Sequence, residues 1–434
     1  MGWTAVGLLV LHLAGLAWLG AGVLVDGTRE LTTGEWAPGV GIVLRADALG
    51  VTFAFFSSFV LLVALLYELA SGAMSRTFAA LVLFQTAGLT GLFLTGDVFN
   101  FFVFFELSLI AGYVLATHGE GPRQLSSAFI FAVVNLLGSF VFLLAVASIY
   151  HVTGTLEMLT VADRLAVVEP TSVILIAISV FVAFGVKLGL FPFHFWIPPL
   201  YTGARPAVAA ILAGAVANIG AYGFLRFGAI VLPAELELGA GVLIVLGVLS
   251  ILYGSAQALS RRTTTEVIAY SAIGQVGYIL IALAVGGPVG YTAAVVYSLV
   301  NSFNKVVLFL AAGARGRFVG AAFAVGALSV VGLPPTTGFI AKVELFLAGL
   351  EADRSALLVG LIVLGSLLSF VYMFQVYQHV YWRGGGGEGD PSSRGARLIV
   401  LAFALLIVLA GIWPEPLLWI SERAAEVLLE EAGP

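Results

Sequence analysis

From Trp3 to residue 420 the chain is a succession of apolar runs, each about 20 residues long and parted by short polar stretches. Runs of that length match the ~30 Å hydrocarbon core of a bilayer when helical, at 1.5 Å rise per residue. Thirteen spans are expected, near 3–25, 48–70, 77–95, 98–116, 126–149, 171–193, 206–230, 238–259, 266–286, 289–312, 319–350, 355–381 and 397–420. The runs are continuous and do not alternate, which argues against membrane strands. Only 10% of residues are charged and 61% are hydrophobic, where soluble domains carry about 25% charge. The sequence therefore predicts an all-α polytopic membrane protein. The first run has no basic start and reads as a span, not a cleaved signal.

The eleventh run is too long for one crossing and holds the break VGLPPTTGF (331–339). A second proline break, WIPPLYTGARP (196–206), follows the sixth. Backbone groups freed by proline in a span are tolerated only against protein or water. Paired breaks in two halves point to an inverted repeat with a site near the midplane. The expected organisation is an N-terminal pair of spans (1–70), two repeat units (77–230 and 238–382) and a C-terminal span with a short amphipathic tail (396–434), the tail being SERAAEVLLEE, 421–431. Arginine gives orientation. The loops after even spans hold ten arginines, and those after odd spans hold five: Arg29, Arg45, Arg164, Arg226 and Arg354. That places the N-terminus in the cytoplasm and the C-terminus outside.

Several chemistries are unsupported. There is no cysteine for disulfides, iron–sulfur clusters or thiolate metal sites. Phosphate-binding motifs are absent, and His12, His118, His151, His194 and His379 are dispersed. Neither a metal nor a cofactor is expected, and no nucleic-acid partner.

The charges inside the runs are more informative. Only three lysines occur, Lys187, Lys305 and Lys342, in FGVKLGLF, FNKVVLFL and FIAKVELF. A charge at mid-bilayer costs ~2.5–3.5 kcal/mol on insertion scales. Desolvated lysine can release its proton near neutrality, while arginine effectively cannot, so lysine suits a proton relay. Glu106, in the middle of the fourth span, has no base within a turn or two. Lys187 is its natural partner, and moving Glu106 toward or away from it would load or release a proton. The plainer readings are a static Glu106–Lys187 pair, a snorkelling Lys305 and a Lys342 that bonds carbonyls freed near Pro335. Tyr270, Ser271, Gln275 and Tyr278, with Asn135, Ser139, Asn301, Ser302 and Asn304, fit either a hydrated path or simple interhelical bonding. His194, in an aromatic cluster, fits a structural role. Glu68, Asp47 and Asp97 lie near span ends.

Six segments carry a resemblance: TGDVFNFFVFFELSLIAGYVL, VVNLLGSFVFLLAVASIYHVTGTLEM, FGVKLGLFPFHFWIPPLYTGARPAVAAIL, IAYSAIGQVGYI, NKVVLFLAAG and GALSVVGLPPTTGFIAK. In this order they resemble the antiporter-like membrane subunits of Mrp cation/proton antiporters, respiratory complex I and membrane-bound hydrogenases. The first two look most similar to the D-type subunit of Mrp complexes. The resemblance covers about residues 45–385 and implies two inverted five-helix repeats, each with a broken helix, around a hydrophilic axis. It gives Glu106 the role of the family's essential glutamate and Lys187 that of its paired lysine. Lys305 and Lys342 become later relay lysines, and Asn218, His194, Tyr270, Ser271, Gln275, Tyr278 and Asn301 a secondary polar path.

Three departures accompany it. Asn218 stands where the family usually has a lysine. The link GARGRFVGAAFAV is some twenty residues short, and one N-terminal span is missing. The resemblance implies a proton-translocating subunit of a Mrp-type cation/proton antiporter in the cell membrane: a transporter subunit, not an enzyme, working with other membrane subunits on protons and sodium. The alternatives are a subunit of a redox-driven complex I-like or hydrogenase assembly, and a structural subunit that no longer conducts.

Overall fold

The computed structural model describes residues 2–35, 41–119, 121–352, 355–383 and 393–430. Arg354, used in the orientation reading, lies outside them. Among the described residues, twelve helices are long and apolar enough to cross a membrane. The chain runs α1 (Gly2–Asp26), α2 (Ala48–Ala70), α3 (Arg76–Phe93), α4 (Val98–Ala116), α5 (Pro122–Thr153), a short α6 (Met158–Leu165) and α7 (Pro170–Leu188). A break and the half-helix α8 (Ile197–Gly203) follow. The next span, Pro206–Val231, is continuous. In it α9 (Pro206–Ile211) and α10 (Asn218–Gly223) alternate with π-helical turns at Leu212–Val216 and Phe224–Val231. Then come α11 (Pro233–Ser260), α12 (Thr264–Val285), α13 (Gly287–Ala312), the half-helices α14 (Arg317–Val331) and α15 (Thr337–Glu351), α16 (Ser355–Val376), α17 (Arg394–Ile412) and α18 (Glu415–Glu430). With α14 and α15 taken as one broken crossing, the thirteen expected spans are present.

Sequence chemistry sets the helix starts. Proline stands in the first turn of α5, α7, α9, α11 and α13, where its missing N–H has no intrahelical partner to lose. Asp47, Ser75 and Asp97 cap α2, α3 and α4 by accepting from first-turn N–H groups.

The two breaks share one device, Gly-Leu-x-Pro: Gly189-Leu190-Phe191-Pro192 and Gly332-Leu333-Pro334-Pro335. Each glycine has positive φ, +72° and +89°. Each leucine N–H reaches back to the carbonyl four residues before the glycine, Leu190 to Gly185 at 3.2 Å and Leu333 to Leu328 at 3.0 Å. This is a left-handed glycine C-cap of a helix, followed by proline that cannot continue it. The first break therefore lies at residues 189–192, upstream of the expected 196–206. Pro198 and Pro199 instead sit in the first turn of α8, where proline is tolerated.

Other expectations need correcting. Residues 26–47 include an antiparallel hairpin, Arg29–Thr32 with Val43–Ala46. Its Leu44 forms an isolated bridge with Thr95, and that loop is joined in turn to the next through the bridge Asp97–Glu157. The last span ends at Ile412, not at 420. Pro414 disfavours helical geometry at Trp413 (φ −121°, ψ 79°). The amphipathic helix then begins at Glu415 and packs on α2 and α13, with Leu417, Ser421, Ala424, Ala425, Val427 and Leu428 buried.

The Pro206–Val231 span and α13 are buried along their whole apolar length and form the centre, while α1, α5, α11, α16 and α17 keep outward apolar faces. Glycine lets α11 and α12 close on each other. A Cβ on Gly254 would stand 2.4 Å from Gly274 N, and one on Gly277 would stand 2.2 Å from Gly247 O. That contact seats α12 deep in the bundle, with Ser271, Gln275 and Tyr278 all buried.

Candidate functional site

All three lysines are buried: Lys187 4% exposed, Lys305 5% and Lys342 3%. Lys187 is in the last turn of α7, just before the first break. Lys342 is in the second turn of α15, just after the second. Lys305 is on the central α13.

The Lys187 ammonium donates to the Asn135 carbonyl at 2.7 Å and to Ser139 Oγ at 3.0 Å, and lies 4.1 Å from the centre of the Phe105 ring. Ser139 in turn donates to the same carbonyl at 2.9 Å. The α5 residues Asn135 and Ser139 are one turn apart and so present one face. Glu106 is half-buried on α4 and is the carboxylate whose charge acts on Lys187. It has no ion-pair partner within 4.0 Å among the described residues, and its Oε1 is buried without a hydrogen bond. The ammonium is thus held by neutral oxygens, with the carboxylate near but not engaged. A cavity of about 10 Å³, the space of a single water, separates Lys187 from Ala217 and Ile219.

On the far side of α10, Asn218 is held three ways. Its Nδ2 donates to Ser57 Oγ at 3.2 Å and to the Gly214 carbonyl at 3.1 Å. Its Oδ1 accepts from Ser302 Oγ at 3.0 Å. Ser302 is one helical turn before Lys305. Asn301 and Asn304 are buried on the same helix, and Asn304 Oδ1 lacks a hydrogen bond.

Among the described residues Lys342 Nζ has no hydrogen-bond partner, and it lies 3.2 Å from the centre of the Tyr278 ring and 5.3 Å from that of Tyr297. An ammonium over an aromatic face gains electrostatically from the ring quadrupole. Tyr297 donates to Gln275 Oε1. Gln275 Nε2 reaches Tyr372 OH at 3.4 Å, and Tyr372 OH meets Ser271 at 2.9 Å and donates to Ser369 at 3.0 Å. Ser271, Gln275 and Tyr278 therefore come together around Lys342, joined by Tyr297, Tyr372 and Ser369, which sequence reasoning did not single out. The signal for Tyr297 was in the spacing: Tyr297, Asn301 and Lys305 recur every four residues on α13.

Two predicted residues stand apart. Tyr270 takes a hydrogen bond from Arg261 Nη2 at 3.3 Å, at the start of α12. His194 lies in the turn just after the first break, between the rings of Phe191 and Tyr253, 5.5 and 4.3 Å away. Asp97, Thr95 and Asn100 are joined as a helix cap. Asp97 accepts from Asn100 N at 2.6 Å and Asn100 Nδ2 donates to Thr95 at 3.0 Å. Among the described residues no group of three or more acidic or histidine side chains is placed to hold a metal.

Arg226 corrects the sequence reading. It is not a loop residue. It lies inside the Pro206–Val231 span, 2% exposed, and binds both carboxylate oxygens of Asp47 at 2.8 and 2.6 Å. A buried guanidinium needs such a partner. Without it the arginine bias between the two sets of loops grows in the same direction. Glu68 is likewise interior, paired with Arg205 at 3.0 Å.

A family model described as the transmembrane part of NADH:quinone oxidoreductase and Mrp antiporters matches residues 95–317. The D-type subunit of the Na(+)/H(+) antiporter of Alkalihalophilus pseudofirmus is 30% identical over 458 residues, covering 99% of this chain and 91% of that protein. The N-type subunit of the NADH-quinone oxidoreductase of Desulforudis audaxviator is 34% identical over 393 residues, covering 83% and 78%. A chain in the structure of the Mrp complex from a Dietzia species superposes with TM-score 0.90 at 26% identity, over 99% of this chain and 93% of that one. The buried lysines beside paired helix breaks and the match across more than half the chain lead to one assignment: this protein belongs to the NADH:quinone oxidoreductase/Mrp antiporter transmembrane family.

Proposed function

We propose that this chain is the proton-carrying D-type subunit of a multisubunit Mrp-type cation/proton antiporter. The observation that carries the reading is Lys187. It is a buried ammonium at a helix break, held by a backbone carbonyl and a serine, with the unpaired carboxylate of Glu106 in electrostatic reach. Such a lysine can exist charged or neutral, and the position of Glu106 decides which. When Glu106 approaches, the ion pair keeps the proton. When it withdraws, only neutral acceptors remain and desolvation favours release. Lys305 and Lys342 continue the relay in the second half. There Tyr278 and Tyr297 seat Lys342, while Gln275 holds Tyr297 and is itself linked through Tyr372 to Ser271. Asn301, buried on α13 one turn before Lys305, completes the polar lining. Residues 77–230 and 238–382 act as the two paired half-units.

Further support comes from the relatives. The Alkalihalophilus protein is the D-type subunit of a Na(+)/H(+) antiporter, and the Dietzia chain belongs to a Mrp complex. By this reading the cation is sodium, the partners are the other membrane subunits, and the chain starts in the cytoplasm and ends outside. The Desulforudis relative, part of a NADH-quinone oxidoreductase, favours a second reading, in which redox partners drive the same relay. Purifying the native complex separates the two. Iron–sulfur or flavin subunits alongside the chain would replace the first reading with the second.

The direct test is cation-driven proton flux in vesicles carrying the assembled complex, with Lys187→Ala and Glu106→Ala beside wild type and assembly followed on native gels. Both variants should assemble and lose flux. Full flux in both would make the pair architectural.

A further inference from the structure

Asn218 lies between the two ends of this relay. The apolar neighbours Ala217 and Ile219 face the cavity at Lys187, while the Asn218 side chain points the other way, to α2 and α13. A hopping proton needs, at each step, a group that accepts on one side and donates on the other. Lysine and hydroxyl groups do this. A carboxamide offers two N–H donors and an acceptor oxygen that do not exchange protons with each other. Here every one of them is committed. The two N–H groups go to Ser57 and to the Gly214 carbonyl, and the oxygen accepts from Ser302. The single Ser302 hydroxyl hydrogen is shared between Asn218 and that same Gly214 carbonyl, 2.5 Å away. Gly214 is inside the π-helical turn Leu212–Val216, a feature concentrated at functional sites. An amide whose donors and acceptor are all engaged in a buried network is held in one orientation.

We propose that Ser57, Asn218 and Ser302 form a proton-insulating joint between the two halves, across which Lys187 and Lys305 act on each other by charge and not by direct proton transfer. The inference rests on the relay reading. An unbroken line of titratable groups would let protons run without the cation. A neutral amide at the joint prevents that and still lets the field of one ammonium reach the other.

The test uses the assembled complex in vesicles, with two readouts: proton leak under an imposed pH gradient without cation, and cation-driven exchange. Asn218→Asp keeps the size and adds a titratable group, and its leak should rise about tenfold or more over wild type. Asn218→Leu removes the hydrogen bonds and adds no carrier, and its exchange should stay within about threefold of wild type. Loss of exchange in an assembled Asn218→Leu complex would show that protons pass at 218 and overturn the proposal. A wild-type leak in Asn218→Asp would place the insulation elsewhere and overturn it too. If Asn218→Leu fails to assemble, the Ser57→Ala/Ser302→Ala double variant is read the same way. Adding Lys187→Ala to Asn218→Asp separates the two ideas. A leak that then disappears supports both. A leak that persists sinks the relay through Lys187 and keeps the joint.

Discussion

The Lys342 ammonium sits 3.2 Å from the centre of the Tyr278 ring and makes no hydrogen bond among the described residues. Its stabilisation is therefore aromatic, about 2 kcal/mol for a desolvated cation. Tyr278→Phe keeps the ring face and should leave cation-driven flux within about threefold of wild type, whereas Tyr278→Leu should lower it at least about tenfold. Equal loss in both would move the role from the ring to the hydroxyl.

Lys187 can be tested without removing its charge. Lys187→Arg retains the cation but never releases a proton. Flux in vesicles should fall to the level of Lys187→Ala, with assembly on native gels intact. Wild-type flux with arginine would mean that charge alone suffices at 187.

Arg226 and Asp47 are joined through two contacts, at 2.8 and 2.6 Å. Arg226→Ala takes from the buried Asp47 carboxylate its shortest ion pair and leaves it Arg45 Nε at 3.5 Å, which should destabilise by about 3 kcal/mol. The double change Asp47→Leu/Arg226→Leu removes both charges and should recover most of that loss. Thermal unfolding in detergent reads both, and a single variant as stable as wild type would contradict the pairing.

Helix propensity favours alanine over glycine by up to about 1 kcal/mol, so Gly239→Ala, whose Cβ meets nothing within 4 Å, should be neutral or stabilising. Gly277→Ala should do the opposite. Its Cβ would stand 2.2 Å from Gly247 O, and overpacking of this kind costs about 1–3 kcal/mol. The difference in melting temperature between the two variants is the measurement.

Glu169, exposed in the loop before α7, caps that helix by accepting from Ser172 N at 3.1 Å. Hydrogen bonds from Thr171, side chain first and then backbone, hold its carboxyl below the ordinary glutamate range. A carboxyl with its folded value depressed contributes stability above the unfolded pKa, and that contribution fades as pH falls through the folded one. The gap in melting temperature between wild type and Glu169→Ala should therefore be open at neutral pH and close in acid. A gap independent of pH would rule out the ionised cap.

Much of this was legible in one dimension. Span positions follow from apolar runs set by bilayer thickness, and the second helix break from Pro334-Pro335; Pro198-Pro199 misleads, because it opens α8 and the first break lies at residues 189–192. The three interior lysines stand out because burying a charge is costly enough that nearly every other base was kept to the edges. Glu106 was found by the same reasoning. These are properties of single residues against a uniform solvent, so sequence carries them.

Only the tertiary structure decided who meets whom. Asp47 and Arg226 are 179 positions apart, and Asn218 and Ser57 are 161 apart. Lys187 was matched by charge to Glu106, yet the packing of α7 on α5 hands its ammonium to Asn135 and Ser139. Tyr297 and Tyr372 read as ordinary apolar aromatics until α12, α13 and α16 close around Gln275. The apolar runs determined that the chain crosses the membrane and where its charges are buried. Which polar atoms satisfy those charges depends on helix packing, because in a water-free interior each buried polar group must find its partner on whichever helix the fold brings beside it.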